Sequence, residues 1–178
     1  MGDGSAIMEA DDIPRSIPGR AVEFDVLASH DADGPLLSPF RSWGERAISH
    51  LGLTGQVRVR LVRDEEMAAL HERTTGISGT TDVLTFDLRE DADPRDRRMD
   101  VDVVLCTDEA RRQGEARGHD PASELTLYLV HALLHCLGHD DHDDDAFERM
   151  HRAEDEILRA IGLGDVFARP TREAGGET

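Results

Sequence analysis

The chain is poor in cysteine, with two residues in 178, which excludes the disulfide framework on which small secreted domains depend. Cys106 and Cys136 both stand in apolar stretches, so they are expected as buried free thiols, in keeping with a reducing compartment. Long apolar runs are also missing. None approaches the roughly 20 residues needed to cross a bilayer, and the N-terminal MGDGSAIMEADD lacks the basic and apolar regions of a signal peptide. A cytoplasmic location without a membrane partner is the expectation. Positive charge is in deficit, with 20 Lys and Arg against 38 Asp and Glu and a net charge of −18. Such a balance is awkward for a polyanion ligand, because neutralising phosphates supplies much of the affinity for nucleic acid. Part of the acidity is peripheral, at Asp3, Glu9, Asp11, Asp12, Glu173 and Glu177. Two local basic clusters remain, Arg58, Arg60 and Arg63, then Arg95, Arg97 and Arg98; they read as solvated edges before they read as phosphate contacts.

What is present suits one domain with a sizeable core. Residues 1–20 read as a flexible leader and 166–178 as a Gly-rich flexible tail, leaving a domain over 21–165, and there is no internal repeat. Strands are expected over 21–27, 56–62, 82–88 and 101–106, where apolar residues alternate or run together. Helices are expected over 38–51, from Asp64 to a breakdown at 74–79, over 107–118, 123–137 and 144–161. Ser38 is read as the cap of the first, with Pro39 in its first turn. The order βαβαββααα predicts an α+β fold, a small mixed β-sheet packed against helices, with the strongly apolar helix over 123–137 central and buried.

That helix carries the chemistry. His131 and His135 are four residues apart, so they lie one turn above each other on one face and can hold one ion through two imidazoles. Gly138 can end the helix in a left-handed conformation, turning the chain so that Asp140, Asp141 or His142 presents a third ligand. Three protein ligands leave an open position for water, which separates a catalytic zinc from a structural one. Two core histidines bonded to backbone are the plainer reading of an isolated pair. Five of the nine histidines fall between His131 and His151, however, beside Asp140, Asp141, Asp143, Asp144 and Asp145, and burying imidazoles there has little packing logic without a cation. His119, His139 and His151 are assigned to surface, packing or supporting positions. Cys136, adjacent to His135, points to a different helix face and is set aside as a ligand.

These residues resemble the YbeY family of metal-dependent endoribonucleases, which act in ribosomal RNA maturation. The family signature is close to HGxLHLxGYDH on a buried helix, preceded by a TDVLSF strand and a GDI strand. Here the pieces stand as HALLHCLGHDD from His131, TDVLTF over 81–86 and VDV over 101–103, in the family's order and spacing, with similarity over roughly 55–162. The resemblance implies a zinc-dependent endoribonuclease, specific for single strands and acting in late rRNA processing, including 3′-end maturation of the small-subunit RNA, and in ribosome quality control. It further implies single-stranded rRNA as substrate and the small ribosomal subunit or a ribosomal protein as partner. Three departures stand out. The third histidine is replaced by Asp141, with His142 one place later as the competing ligand; a carboxylate can serve in either metal chemistry. The usual arginine falls at Thr75, so Arg73 is the candidate for its phosphate contact. Val101 replaces the usual glycine of the GDI strand.

The mechanism so implied is hydrolysis of an RNA phosphodiester by water activated at a three-ligand zinc, which lowers the water's pKa towards about 7 and polarises a phosphoryl oxygen. Another transition ion is compatible with two imidazoles and a carboxylate. Asp140 is the candidate proton acceptor, with capping of the broken helix as its plainer role, and Asp82 is a candidate for orienting a loop or ligand. Two rival readings are a zinc peptidase and a non-enzymatic ribosome-assembly factor keeping a structural metal. The peptidase reading lacks its glutamate base, since Ala132 occupies that position in HALLH.

Overall fold

Side chains that alternate along a strand go to opposite faces, so each strand here contributes one apolar row to a shared core. The computed structural model describes residues 22–90 and 93–164; the leader and tail expected from the sequence lie outside the described residues. The order is β1 (Glu23–Ala28), a 3-10 turn (Asp31–Asp33), α1 (Gly34–His50), β2 (Thr54–Val62), α2 (Asp64–Thr75), β3 (Val83–Asp87), β4 (Arg98–Cys106), α3 (Thr107–Arg117), α4 (Pro121–Cys136) and α5 (Asp144–Ala160). This matches the expected succession. The four strands form one mixed sheet in the order β1-β2-β4-β3, with β1, β2 and β4 parallel and β3 antiparallel to β4.

One face of the sheet is built by Phe24 and Val26 of β1, Val57, Val59 and Leu61 of β2, and Met99, Val101, Val103 and Leu105 of β4, all buried. It packs with α1, α4 and α5 into a single core. The helix α4 lies deepest: Leu125, Leu129, Val130, Ala132 and Leu133 are fully buried. Its start is set by Asp120, whose carboxylate accepts from the Ala122 N–H at 2.7 Å, with Pro121 in the first turn. Close approach by α1 needs a small residue at Gly44, where a Cβ would lie 2.6 Å from the Phe24 ring and 3.2 Å from Leu129 Cδ2.

The opposite face is covered by α2, through Met67 against Val62, Val104 and Cys106. Elsewhere on it Arg58 pairs with Asp100 and Asp102 at 2.6 and 2.5 Å, and Arg60 pairs with Glu66. Arg63 reaches the buried Asp33 at 3.4 Å, and Arg95 takes Asp93. Acidic neighbours therefore match Arg58, Arg60, Arg63 and Arg95, whereas Arg97 and Arg98 have no ion pair among the described residues.

Two boundaries differ by three residues or more from those expected, the others by one or two. The helix α1 begins at Gly34, with Pro35 in its first turn and Pro39 inside it, rather than at Ser38. Leu36 and Leu37 pack on the core, and this burial extends the helix past its local start signal. Strand β4 begins at Arg98 rather than Val101, because β2 pairs with it from Thr54↔Arg98 onward. Both cysteines are free and buried, as expected. Burial pushes the Cys136 thiol up to about 11, with the nearby Asp87 charge adding to the effect.

Leu129→Ala should lower unfolding free energy by about 3 kcal/mol, read by urea denaturation, because the cavity would open where α1, α4 and the sheet meet. Alkylation followed by mass spectrometry should leave Cys106 and Cys136 unmodified in native protein near pH 8 and modify both after denaturation, since only the thiolate reacts.

Candidate metal centre

The last turns of α4 and the loop after it build one site. His131 and His135, both partly buried, project from the same face, their rings edge to face with centroids 4.5 Å apart. Their Nε2 atoms are 3.0 Å apart. Each ring is held by its other nitrogen: His131 Nδ1 lies 2.7 Å from Glu154 Oε1, and His135 Nδ1 lies 3.0 Å from the His139 carbonyl. Those acceptors select the Nδ1–H tautomer, which leaves both Nε2 lone pairs aimed at one point. At 3.0 Å the two Nε2 atoms can share one proton, and with both rings neutral they present two converging lone pairs. They fit a cation.

Gly138 turns the chain back. Its φ is 85°, and a Cβ there would lie 2.7 Å from the Pro94 side chain, so the loop before β4 also braces the turn. The turn brings Asp141 Oδ2 to 3.8 Å from His135 Nε2. One ligand atom from each of His131, His135 and Asp141 lies within 4.8 Å of the others. Asp140, Asp141 and His142 form a second, more exposed group of the same size. There His142 Nδ1 is turned onto Asp140 Oδ1, and the His142 side chain is 83% exposed. Asp141 alone belongs to both groups, and it is the member nearer the histidine pair.

The electrostatics follow the contacts. Burial is the largest influence and disfavours a charged His131 ring, but the Glu154 carboxylate together with the charges of Asp141 and Asp82 outweighs it and the net shift is upward. His139 is shifted down, by burial first and then by the charge of Arg97. The hydrogen bond from His142 holds the Asp140 carboxyl below its usual range, and Asp140 raises His142 in return. Asp140 also accepts from the Asp141 N–H at 2.8 Å, so it shapes the loop that presents Asp141.

The remaining sequence candidates are spread around this centre. Asp82 immediately precedes β3, accepts from the Val83 N–H at 2.8 Å and lies close enough for its charge to act on His131. Arg73 is exposed in the last turn of α2; among the described residues it shares no hydrogen bond or ion pair with His131, His135 or Asp141. His119 belongs elsewhere, 2.9 Å from the buried Glu124. Two supporting residues were not singled out from sequence. Glu154 sits on the apolar stripe of α5 between Met150 and Ile157, with 2% exposure, and a carboxylate at such a core position was the legible signal. Arg89, far away in sequence, donates to the Cys136 carbonyl at 2.7 Å and to Asp87, fastening the end of α4 to the loop after β3. No sequence pattern announces it.

Comparison with known proteins identifies the family. The family model described as endoribonuclease YbeY matches residues 38–162. An endoribonuclease YbeY from Frankia alni is 36% identical over 129 residues, covering 68% of this chain and 71% of that protein. Another from Carboxydothermus hydrogenoformans is 32% identical over 133 residues, covering 75% and 91% respectively. A solution structure from Thermotoga maritima superposes with a TM-score of 0.52 at 20% identity, covering 84% of this chain and 99% of that one, and it supports the fold. On the matched span and these relatives, the chain belongs to the YbeY family of endoribonucleases.

Proposed function

We propose that this protein is a zinc-dependent endoribonuclease of single-stranded RNA, acting in the cytoplasm in late ribosomal RNA processing, with its catalytic unit in the domain over 21–165. The observation that carries the metal reading is the convergence of His131 Nε2, His135 Nε2 and an Asp141 oxygen within 4.8 Å, with both Nδ1 atoms already engaged. His131, His135 and Asp141 are the proposed ligands. His142 is the competitor, but its ring is directed at Asp140. When bound, a zinc ion on three protein ligands supplies an activated water and a Lewis acid for the phosphoryl oxygen.

The chain's own residues supply the rest. The buried α4 holds the two imidazoles in fixed rotamers, and the Gly138 turn sets the reach of Asp141. Asp140 is exposed, is held ionised by His142 and adjoins Asp141 in the loop, and it is the proposed proton acceptor. Arg73 is exposed and makes no ion pair among the described residues, so its guanidinium is available to a phosphate. Ala132 is fully buried, and its position in the HALLH run offers no base for peptide hydrolysis. The acidic surface makes unaided RNA binding weak, which favours docking through the small ribosomal subunit or a ribosomal protein. Among the described residues no helix is long and apolar enough to cross a membrane.

His131→Ala and His135→Ala should each lower metal content, measured by elemental analysis, and lower the melting temperature, since an ion bound only by the folded state stabilises it by mass action. Full occupancy in the double variant refutes the site. Asp141→Ala should cost far more metal affinity than His142→Ala, and Asp141→His should be tolerated; the opposite ranking moves the third ligand to His142. Incubation of the purified protein with single-stranded RNA and with immature small subunits should give cleavage that a chelator abolishes, with unfolded protein substrates left intact. Loaded protein that cuts neither RNA substrate contradicts the nuclease assignment.

A further inference from the structure

A carboxylate buried in an apolar core is costly unless each oxygen finds a strong partner. Glu154 is such a group: its side chain is 3% exposed, and it points from α5 towards α4. Its two oxygens are divided between two imidazoles. Oε1 takes His131 Nδ1 at 2.7 Å, and Oε2 takes His151 Nδ1 at 2.6 Å. Among the described residues no arginine pairs with it. The carboxylate is therefore satisfied by histidines alone, one of them a proposed metal ligand and the other a residue with a 40% exposed side chain. His151 is itself steadied by the Phe147 ring one turn earlier on α5, edge to face with centroids 4.1 Å apart.

From this arrangement we infer that Glu154 is a positioning residue for the metal centre and that His151 acts through it. The inference rests on the metal-binding reading above. Donation from His131 Nδ1 to Oε1 leaves the lone pair on Nε2, where the second imidazole converges. Donation from His151 to Oε2 keeps the carboxylate from rotating both oxygens onto His131, which fixes the plane in which Oε1 meets that ring. The two ligands thus have different anchors. His135 is held by a carbonyl of its own loop, whereas His131 is held from a separate helix, so the packing of α5 on α4 sets the angle between the two imidazoles.

Glu154→Gln tests the inference. The amide keeps the shape but offers one acceptor oxygen, so it cannot accept from both Nδ1–H groups. Cobalt(II) affinity, measured by competition with a chromophoric chelator, should fall roughly 10- to 100-fold, and the visible absorption bands of the bound cobalt should shift. His151→Ala should give a smaller loss of cobalt affinity in the same direction; each variant also loses some metal-free melting temperature, because a buried polar group is left short of a partner, so affinity is read well below that temperature, on folded protein. A purely structural Glu154 would lower the metal-free melting temperature and leave cobalt affinity and spectrum unchanged, and that result overturns the inference. Should Glu154→Gln fail to fold, nitrogen-15 NMR of the histidine rings in the unsubstituted protein decides. The His131 Nδ1–H tautomer is expected both without metal and with zinc, and an Nε2–H tautomer without metal is the refuting result. If the unsubstituted protein binds neither zinc nor cobalt, the metal reading falls and takes this inference with it. Unchanged binding by the variant defeats the positioning role alone.

Discussion

Burial of α4 is the constraint on which the rest of the molecule depends. The helix is walled in by the sheet, α1 and α5, so its side chains have fixed rotamers, and a rigid helix is a better platform for ligands than a loop. The same burial creates a difficulty, since two imidazoles at the end of an apolar helix need polar partners. Glu154 and the His139 carbonyl meet that need from outside the helix. The supporting shell is thus a consequence of placing histidines in a core, and it orients them for a cation at the same time.

The proposed third ligand position obeys a different logic. Asp141 lies after the Gly138 turn, where the backbone leaves the helix and is braced by Pro94 and Arg89. A carboxylate at Asp141, where the family resemblance implies an imidazole, makes the proposed ligand set more anionic. Its neighbour Asp140 is occupied with His142 and the Asp141 N–H, which draws His142 away from the histidine pair. The competition between Asp141 and His142, left open by spacing alone, is thereby weighted by the loop's own hydrogen bonds.

Charge distribution links the fold to the proposed activity. Arg58, Arg60, Arg63 and Arg95 are matched by acidic neighbours, so they contribute to the surface ledger of ion pairs, each worth little in solvent, rather than to a field for RNA. With a net charge of −18, the protein has few cations to offer a phosphate backbone. Arg73 lacks an ion pair among the described residues, as do Arg97, Arg98 and Arg149, and under the proposed function a partner takes up substrate capture.

Much of this was legible in the residues themselves. Period-two and period-3.6 patterns placed every strand and helix in order, because those repeats are the direct imprint of one buried face. The four-residue spacing of His131 and His135 and the glycine after them implied the site, since helical geometry alone puts them together. Tertiary packing decided what local pattern could not. The start of α1 at Gly34 came from Leu36 and Leu37 meeting the core, and the extra length of β4 came from pairing with β2. Glu154 and Arg89 reach the centre from a helix and a loop distant in sequence, so no local signal announced their roles beyond one carboxylate on an apolar stripe. The sequence determined which groups could bind a metal, because ligand chemistry and helical spacing are local. Only the folded chain decided how those groups are aimed, because aim depends on acceptors supplied by elements that sequence does not place side by side.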